Sequence, residues 1–301
     1  MIKRGLIVFL IILSGPVTLS QTYIDLVTAS YNYSPPASFE FSDQKTNIHN
    51  ADISLTLPVP LKKDVVLLPG LSTTVNQLSL DPDSNGSTGV FKVGLQLGVR
   101  IPYANNWSGL HYLIPRISSA LNEYRSGFQI ATIQLFEKQK SPTATYGFGI
   151  YASEESYGWM LVPLASFYLK DPEDRYELRI FFPSRGDVNY RLSDQLRLGL
   201  YFDSLGSTHD LQSPQFGSSY VQRISNDLQA YLRFDLTPSL LLAVRAGYAF
   251  FRSYRVYDSR DTAGVSIANF FFNDNRTPLN QTVGDGFLFG VRFIYRYNFS
   301  D

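Results

Sequence analysis

The sequence predicts an all-β fold: a transmembrane, antiparallel, up-and-down barrel of about fourteen strands, with twelve as the alternative count. Three observations lead there. Strand-like segments of alternating character recur from end to end, with no helical period of any length. Their connections alternate between short turns and longer polar loops, as in a barrel with two unlike rims. The chain is rich in aromatics, with 20 Tyr, 22 Phe and 2 Trp in 301 residues, yet no apolar run beyond the first twenty residues approaches the length of a helical membrane span.

Residues 1–20 read as a secretory signal peptide, which leaves 21–301 as the barrel domain. Lys3 and Arg4 give the positive start, and Gly5 to Leu13 form a nine-residue apolar stretch, too short to cross a bilayer. Thr18 and Ser20 are small enough for cleavage before Gln21. Without Lys3 and Arg4 the chain carries 24 basic and 26 acidic residues, a net charge of −2. That balance lacks the basic excess of a nucleic-acid binder, so no nucleic-acid partner is expected. There is no cysteine, hence no disulfide framework in an exported chain. Backbone pairing and packing must hold the fold.

The fourteen strands are expected near 22–33, 47–59, 64–79, 89–101, 108–121, 127–138, 144–153, 158–169, 175–183, 187–193, 195–203, 219–236, 239–256 and 284–299. Strand plus connection averages about 20 residues, which suits spans of ~9–11 residues. Short turns follow the even-numbered strands: PLKKD, PYANNWS, KQKSP, KDPED, LSDQ and LTPS, where Pro, Asn, Asp and Ser supply the turn geometry. Longer segments follow most odd-numbered ones, among them SPPASFEFSDQKT, SEESYG, DSLGSTHDLQSPQFGSS and the connection near 257–283. An even strand count with short turns on one side places both termini at the periplasmic rim.

Alternation fixes which face is which. In the last strand Phe287, Phe289, Val291, Phe293, Tyr295, Tyr297 and Phe299 share one parity, and Arg292 and Arg296 take the other. In 219–236, Arg223, Ser225, Asp227, Gln229, Arg233 and Asp235 oppose Ile224, Leu228, Ala230, Leu232, Phe234 and Leu236. In 195–203, Leu196, Leu198, Leu200 and Phe202 oppose Arg197 and Tyr201; in 175–183, Tyr176, Leu178, Ile180 and Phe182 oppose Glu177 and Arg179. A one-residue slip would move charges into lipid at ~2–4 kcal/mol for each midplane Arg or Lys, so register is tightly specified. Pro69, Pro115 and Pro163 sit inside strand-like runs and require bulges or unpaired edges, because proline cannot donate to a ladder.

The inward parity gathers the candidate lumen-lining residues Arg179, Arg197, Arg223, Asp227, Arg233, Arg245, Arg292 and Arg296, joined by Arg100, Arg116, Glu177 and Asp235. Two readings stay open. Clustered guanidinium groups would favour small anionic solutes in a passive pore or channel. Alternatively, Arg, Tyr and acidic side chains fill a narrow barrel and occlude it, which makes a structural or surface-interaction barrel. No nucleophile elbow or phosphate-cradling glycine loop occurs, and His49, His111 and His209 lack metal-ligand spacing. No enzyme activity, cofactor or metal is therefore expected. His111 on the barrel surface is the weakest catalytic candidate. Asp81, Asp83 and Asn85 begin like a calcium loop but lack the closing glutamate, so a polar loop is expected.

The terminal stretch FIYRYNF resembles the aromatic-rich last strand by which bacterial outer-membrane barrels are recognised by the barrel assembly machinery, with Ser300 and Asp301 following the final aromatic. RIFFPSRGDVNYRLSDQLRLGLYF (179–202) and LTPSLLLAVRAGYAFFRSYRVYD (236–258) resemble an uncharacterised family of such barrels, known as a domain of unknown function. The resemblance implies a location in the cell outer membrane of a Gram-negative bacterium. It also implies outer-membrane lipid and lipopolysaccharide as partners, and it brings no established activity or functional residues.

Overall fold

The computed structural model describes residues 23–298, except 84–85, 122–126 and 273. The expected signal segment, Asn85, and Phe299 to Asp301 lie outside the described residues. In chain order the strands are β1 (Tyr23–Ser38), β2 (Lys45–Thr56), the two-residue β3 (Val59–Pro60), β4 (Val66–Leu78), β5 (Thr88–Pro102), β6 (Trp107–Ala120), β7 (Phe128–Ser141), β8 (Ala144–Glu155), β9 (Gly158–Lys170), β10 (Tyr176–Phe182), β11 (Arg185–Ser193), β12 (Leu196–Ser213), β13 (Gly217–Thr237), β14 (Leu240–Asp258), β15 (Gly264–Ile267), the two-residue β16 (Phe270–Phe271) and β17 (Gly286–Asn298). Fourteen of them pair antiparallel around a ring, which β17 closes by pairing with both β14 and β1. Closure gives every strand of this wall a partner on both sides over at least part of its length. Fourteen, not twelve, is the count. Tyr23 faces Asn298, so the two ends of the described chain share the rim of the short turns.

The wall is inside out relative to a soluble sandwich, because the alternation points its apolar parity outward. Leu232 is 41% exposed, and Phe289 is 49% exposed, while Leu288, Arg233 and Arg296 on the other parity are buried. In β12 and β13 the outward apolar series runs over Leu196 to Phe202 and Leu228 to Leu236; beyond it the outward positions turn polar, with Ser204 and Asn226. The lipid-facing band therefore ends well below the tip of this hairpin.

Three departures from the sequence expectation matter for the site. The segment expected as a loop after 203 is strand: β12 continues to Ser213 and pairs residue for residue with β13 down to Gly217. This ribbon bends inward across the barrel mouth, where Asp210 bridges Ser119 of β6. Alternation fails from Ser207 to Leu211, where Ser207, Thr208 and His209 are buried in succession because both faces of the ribbon are covered. The interior is also not polar throughout. Leu211 and Val221 of the ribbon join Phe39, Ile48, Leu78, Leu80, Val90, Val256 and Val283 in an apolar core inside the loop rim. Finally, β15, which the sequence leaves inside the 257–283 connection, adds in parallel to the upper part of β9, above the short β10 and β11 of 7 and 9 residues.

Two of the three prolines are accommodated at gaps. The β5–β6 ladder skips Leu95–Gln96 opposite Ile114–Pro115, and Pro163 pairs only with Ile150 of β8. Pro69 stays in its ladder opposite Leu97, and its carbonyl accepts from the Leu57 N–H at 2.9 Å. In the long connection, Phe271 packs on Tyr157 with ring centroids 5.0 Å apart, whereas Phe270 and Phe272 remain exposed. Arg276 of that connection lies over the rings of Tyr257 and Phe271, at 4.3 and 4.7 Å, and donates to Asp274 and the Tyr220 hydroxyl.

Candidate functional site: a barrel interior divided into chambers

Side chains from facing strands meet across the interior at two levels and leave cavities of about 370, 610 and 440 Å³ from the turn rim to the loop rim. The first layer lies near the turns. Alternation points Tyr23 and Asp25 of β1 inward; from the far wall β10 presents Glu177 and Arg179. The Tyr23 hydroxyl donates to Glu177 Oε1 at 2.5 Å. Arg296 donates to Asp25 through Nε at 2.6 Å and covers the Tyr23 ring at 3.5 Å. Arg179 sits 4.0 Å from Asp25 and 3.9 Å from Glu177. Such charge-assisted contacts are stronger than neutral hydrogen bonds and lock rotamers in the low-dielectric interior. Below this layer, Arg197 pairs with Asp174 and Asn189, and Arg233 holds Asp235 with two bonds of 2.7 and 3.1 Å.

The middle chamber holds Arg292 and Lys92. Arg292 and Arg245 face the ring of Tyr201 at 5.4 and 5.6 Å, and Arg245 donates to Asn32 Oδ1 at 3.1 Å. Arg223 and Asp227 sit apart from both groups: Arg223 donates to the Tyr254 hydroxyl at 3.1 Å, and Asp227 accepts from Ser225 at 2.5 Å. The eight residues singled out from parity thus all turn toward the interior but fall into four groups rather than one ring. Arg179 and Arg296 share the turn-end layer, Arg197 and Arg233 flank Asp235, Arg245 and Arg292 share Tyr201, and Arg223 stands with Asp227.

The second layer closes the loop end, where the ribbon is latched to the opposite wall. Arg116 of β6 donates to Glu155 of β8 at 2.5 Å, and also to Gln129, Tyr151 and Ser153. Glu155 Oε2 accepts from the backbone N–H of Thr208 at 2.9 Å and from its hydroxyl at 2.8 Å. The Ser118 hydroxyl donates to the Thr208 carbonyl at 2.6 Å, and His209 Nδ1 donates to the Phe91 carbonyl at 3.1 Å. His209 lies beyond the apolar band and is 0% exposed. Burial, helped by the charge of Lys92, pushes its pKa down to about 3, so its imidazole is neutral at physiological pH.

The sequence expectation missed Tyr23 and Asp25, although their shared parity in YIDLV could have found them. Glu155, Thr208 and His209 were not legible: the sequence suggests a solvated loop there, and only the loss of alternation marks a segment contacted on both faces. Elsewhere, the His111 ring bonds to Gln134 at 2.6 Å and Tyr103 at 3.1 Å, and His49 to Tyr31 at 2.6 Å. Asp81 accepts from the Asp83 backbone at 2.9 Å, as in an ordinary Asx turn. Among the described residues no cluster of three or more His, Asp or Glu is arranged to hold a metal ion.

Among solved structures, the chain is similar to the COG4313 outer membrane channel from Pseudomonas putida F1, with 8% identity, 90% of this chain and 94% of that one covered, and a TM-score of 0.44. A bacterial polysaccharide outer membrane secretin is 8% identical over 91% of this chain and 99% of its own, with a TM-score of 0.35. The β domain of the Bordetella autotransporter BrkA, also 8% identical, covers 90% and 99% with a TM-score of 0.26. No curated protein matches the chain. Residues 20–295 match the model of one family across almost the whole chain, and the protein belongs to that family, the domain of unknown function DUF6268.

Proposed function

We propose that the protein is an integral outer-membrane barrel whose interior is closed to free diffusion at rest and organised as a binding chamber. In this reading its short turns face the periplasm, its outward aromatic and aliphatic band meets outer-membrane lipid and lipopolysaccharide, and its last strand engages the barrel assembly machinery. The observation that carries the proposal is the pair of cross-lumen layers. An anion-selective pore needs guanidinium groups along a continuous water column; here Arg179 and Arg296 are engaged with Tyr23, Asp25 and Glu177 across it, and the ribbon is latched over the other end. Fourteen strands enclose a bore wider than the eight-stranded one that side chains alone fill, so the two layers and the inward ribbon are what close it.

Reconstitution into planar bilayers tests this. The expected record is silent, with no unitary steps at either polarity in 1 M KCl. Steady ohmic steps from the wild-type barrel would overturn the closed interior and restore the open anion pore. Shifted mobility of unboiled against boiled protein on a gel provides the control that the reconstituted sample is a folded barrel.

A further inference from the structure

Resting on the closed-chamber reading, we infer that the middle chamber has its entrance through the wall, and that it takes a single-chain amphiphile with a carboxylate head from the outer leaflet. The wall has a window between β9 and β12. On the β9 side, β10 pairs only with Ala165 to Lys170, and β15 only with Gly158 to Leu161. Val162, Pro163 and Leu164 have no strand partner on that edge, and the proline there has no N–H to leave unsatisfied. On the β12 side, β11 pairing ends at Asp203, with one more bond from the Ser204 N–H to the Ser184 carbonyl at 2.8 Å. The Pro183–Ser184 turn forms the sill. The Ala268–Asn269 turn after β15 forms the lintel; a methyl on Gly206 would stand 2.5 Å from Asn269 Oδ1.

The 610 Å³ chamber reaches this frame on all four sides, being lined by Val162, Leu164, Pro183, Ser204, Gly206 and Ala268. On its β9 side the window lies at lipid depth, while on its β12 side it opens where the outward apolar series ends after Phe202. Seven residues of β10, at ~3.3 Å each and tilted ~40°, rise only ~18 Å against an apolar band of ~25 Å. The surroundings outside are apolar: Phe182 is 62% exposed, and Trp159, Val265 and Ile267 are exposed beside it. Trp159 has the character of an interfacial anchor. A hydrocarbon chain can thus pass along the β9 side of the frame without leaving the apolar phase.

Charge decides the head group. Each carboxylate lining the chamber already has a donor: Asp25 has Arg296, Asp203 has Arg185 at 3.2 Å, Asp187 has the Tyr231 hydroxyl at 2.7 Å, and Glu137 has Ser166 at 3.1 Å. Lys92 and Arg292, also lining it, form no ion pair among the described residues. They are the groups left to receive an anion, and the Ile133, Met160, Val162, Leu164 and Phe181 surface beside them receives the adjoining chain. The volume is within the range of small-molecule pockets.

The test uses the full-length barrel in phosphatidylcholine nanodiscs with 11-(dansylamino)undecanoate as the probe. Saturable binding at one site per barrel is expected, displaced by undecanoate but not by acetate. The methyl ester should bind at least tenfold more weakly. Arg292→Gln and Lys92→Gln should each weaken the acid about tenfold and leave the ester unchanged. Ala268→Trp, which narrows the lintel, should slow association at least tenfold. Equal affinity for acid and ester, or an unchanged rate in a folded Ala268→Trp barrel, overturns the inference. If a variant fails to fold, the acid, ester and acetate comparison on the wild type decides. Ion conductance would defeat the closed chamber itself; a silent barrel that binds no probe defeats this inference alone.

Discussion

Removing the Glu155 carboxylate should unlatch the β12–β13 ribbon from the far wall. Its side chain is 1% exposed and that of Arg116 is 7% exposed, so the pair is shielded from bulk water. Deleting one partner of a buried pair costs about 3–5 kcal/mol, because the other charge is left uncompensated. Arg116 keeps Gln129, Tyr151 and Ser153 as acceptors, which places Glu155→Ala at the lower end for the pair alone. The Thr208 N–H and hydroxyl then lose their shared acceptor, and an unsatisfied buried donor costs about 1–3 kcal/mol. The sum falls on ribbon docking rather than on the wall, whose ladders do not involve Glu155 Oε2. A loss of about 4 kcal/mol corresponds to roughly a thousandfold rise in amide exchange, at ~1.4 kcal/mol per tenfold. Hydrogen exchange read by mass spectrometry over 204–216 measures it. The double variant Arg116→Met with Glu155→Leu should be less damaging than Glu155→Ala, since it buries no lone charge. Wild-type protection in Glu155→Ala, or effects of the two positions that simply add, would refute the latch.

Three further outcomes are expected. Since His209 is buried as the neutral imidazole with its pKa pushed down to about 3, the unfolded or undocked ribbon binds more protons below about pH 6.5. Docking stability should therefore fall as pH drops from ~6.5 toward 3, seen as rising exchange over 204–216, and His209→Gln should remove that component of the slope. Pro163→Ala should change barrel stability by less than ~0.5 kcal/mol, because no strand needs an N–H there, whereas Leu200→Pro, in a position paired on both sides, should cost ~3 kcal/mol or more; thermal midpoints of the gel-mobility shift compare them. Leu232→Arg should destabilise by ~2–4 kcal/mol in lipid vesicles, measured by urea unfolding, and by much less in a detergent that lets the guanidinium reach water.

Much of the wall was decided by the sequence itself. Period-two alternation is a local property, and lipid outside leaves only one orientation for Phe289, Leu232 and Arg233; the strand order then follows from short turns that force neighbours to pair. The sides taken by Arg179, Arg292 and Arg296 were legible in the same way. Tertiary structure alone decided what those residues touch. Tyr23 meets Glu177 from a strand 154 residues away, and Glu155 meets Thr208 across the mouth, because closure brings together walls that no local pattern relates. The ribbon hid as a loop since a strand covered on both faces has no alternation to show. The window stayed invisible for a related reason: β10 reads as a strand whatever its length, and a gap exists only where its neighbours outrun it.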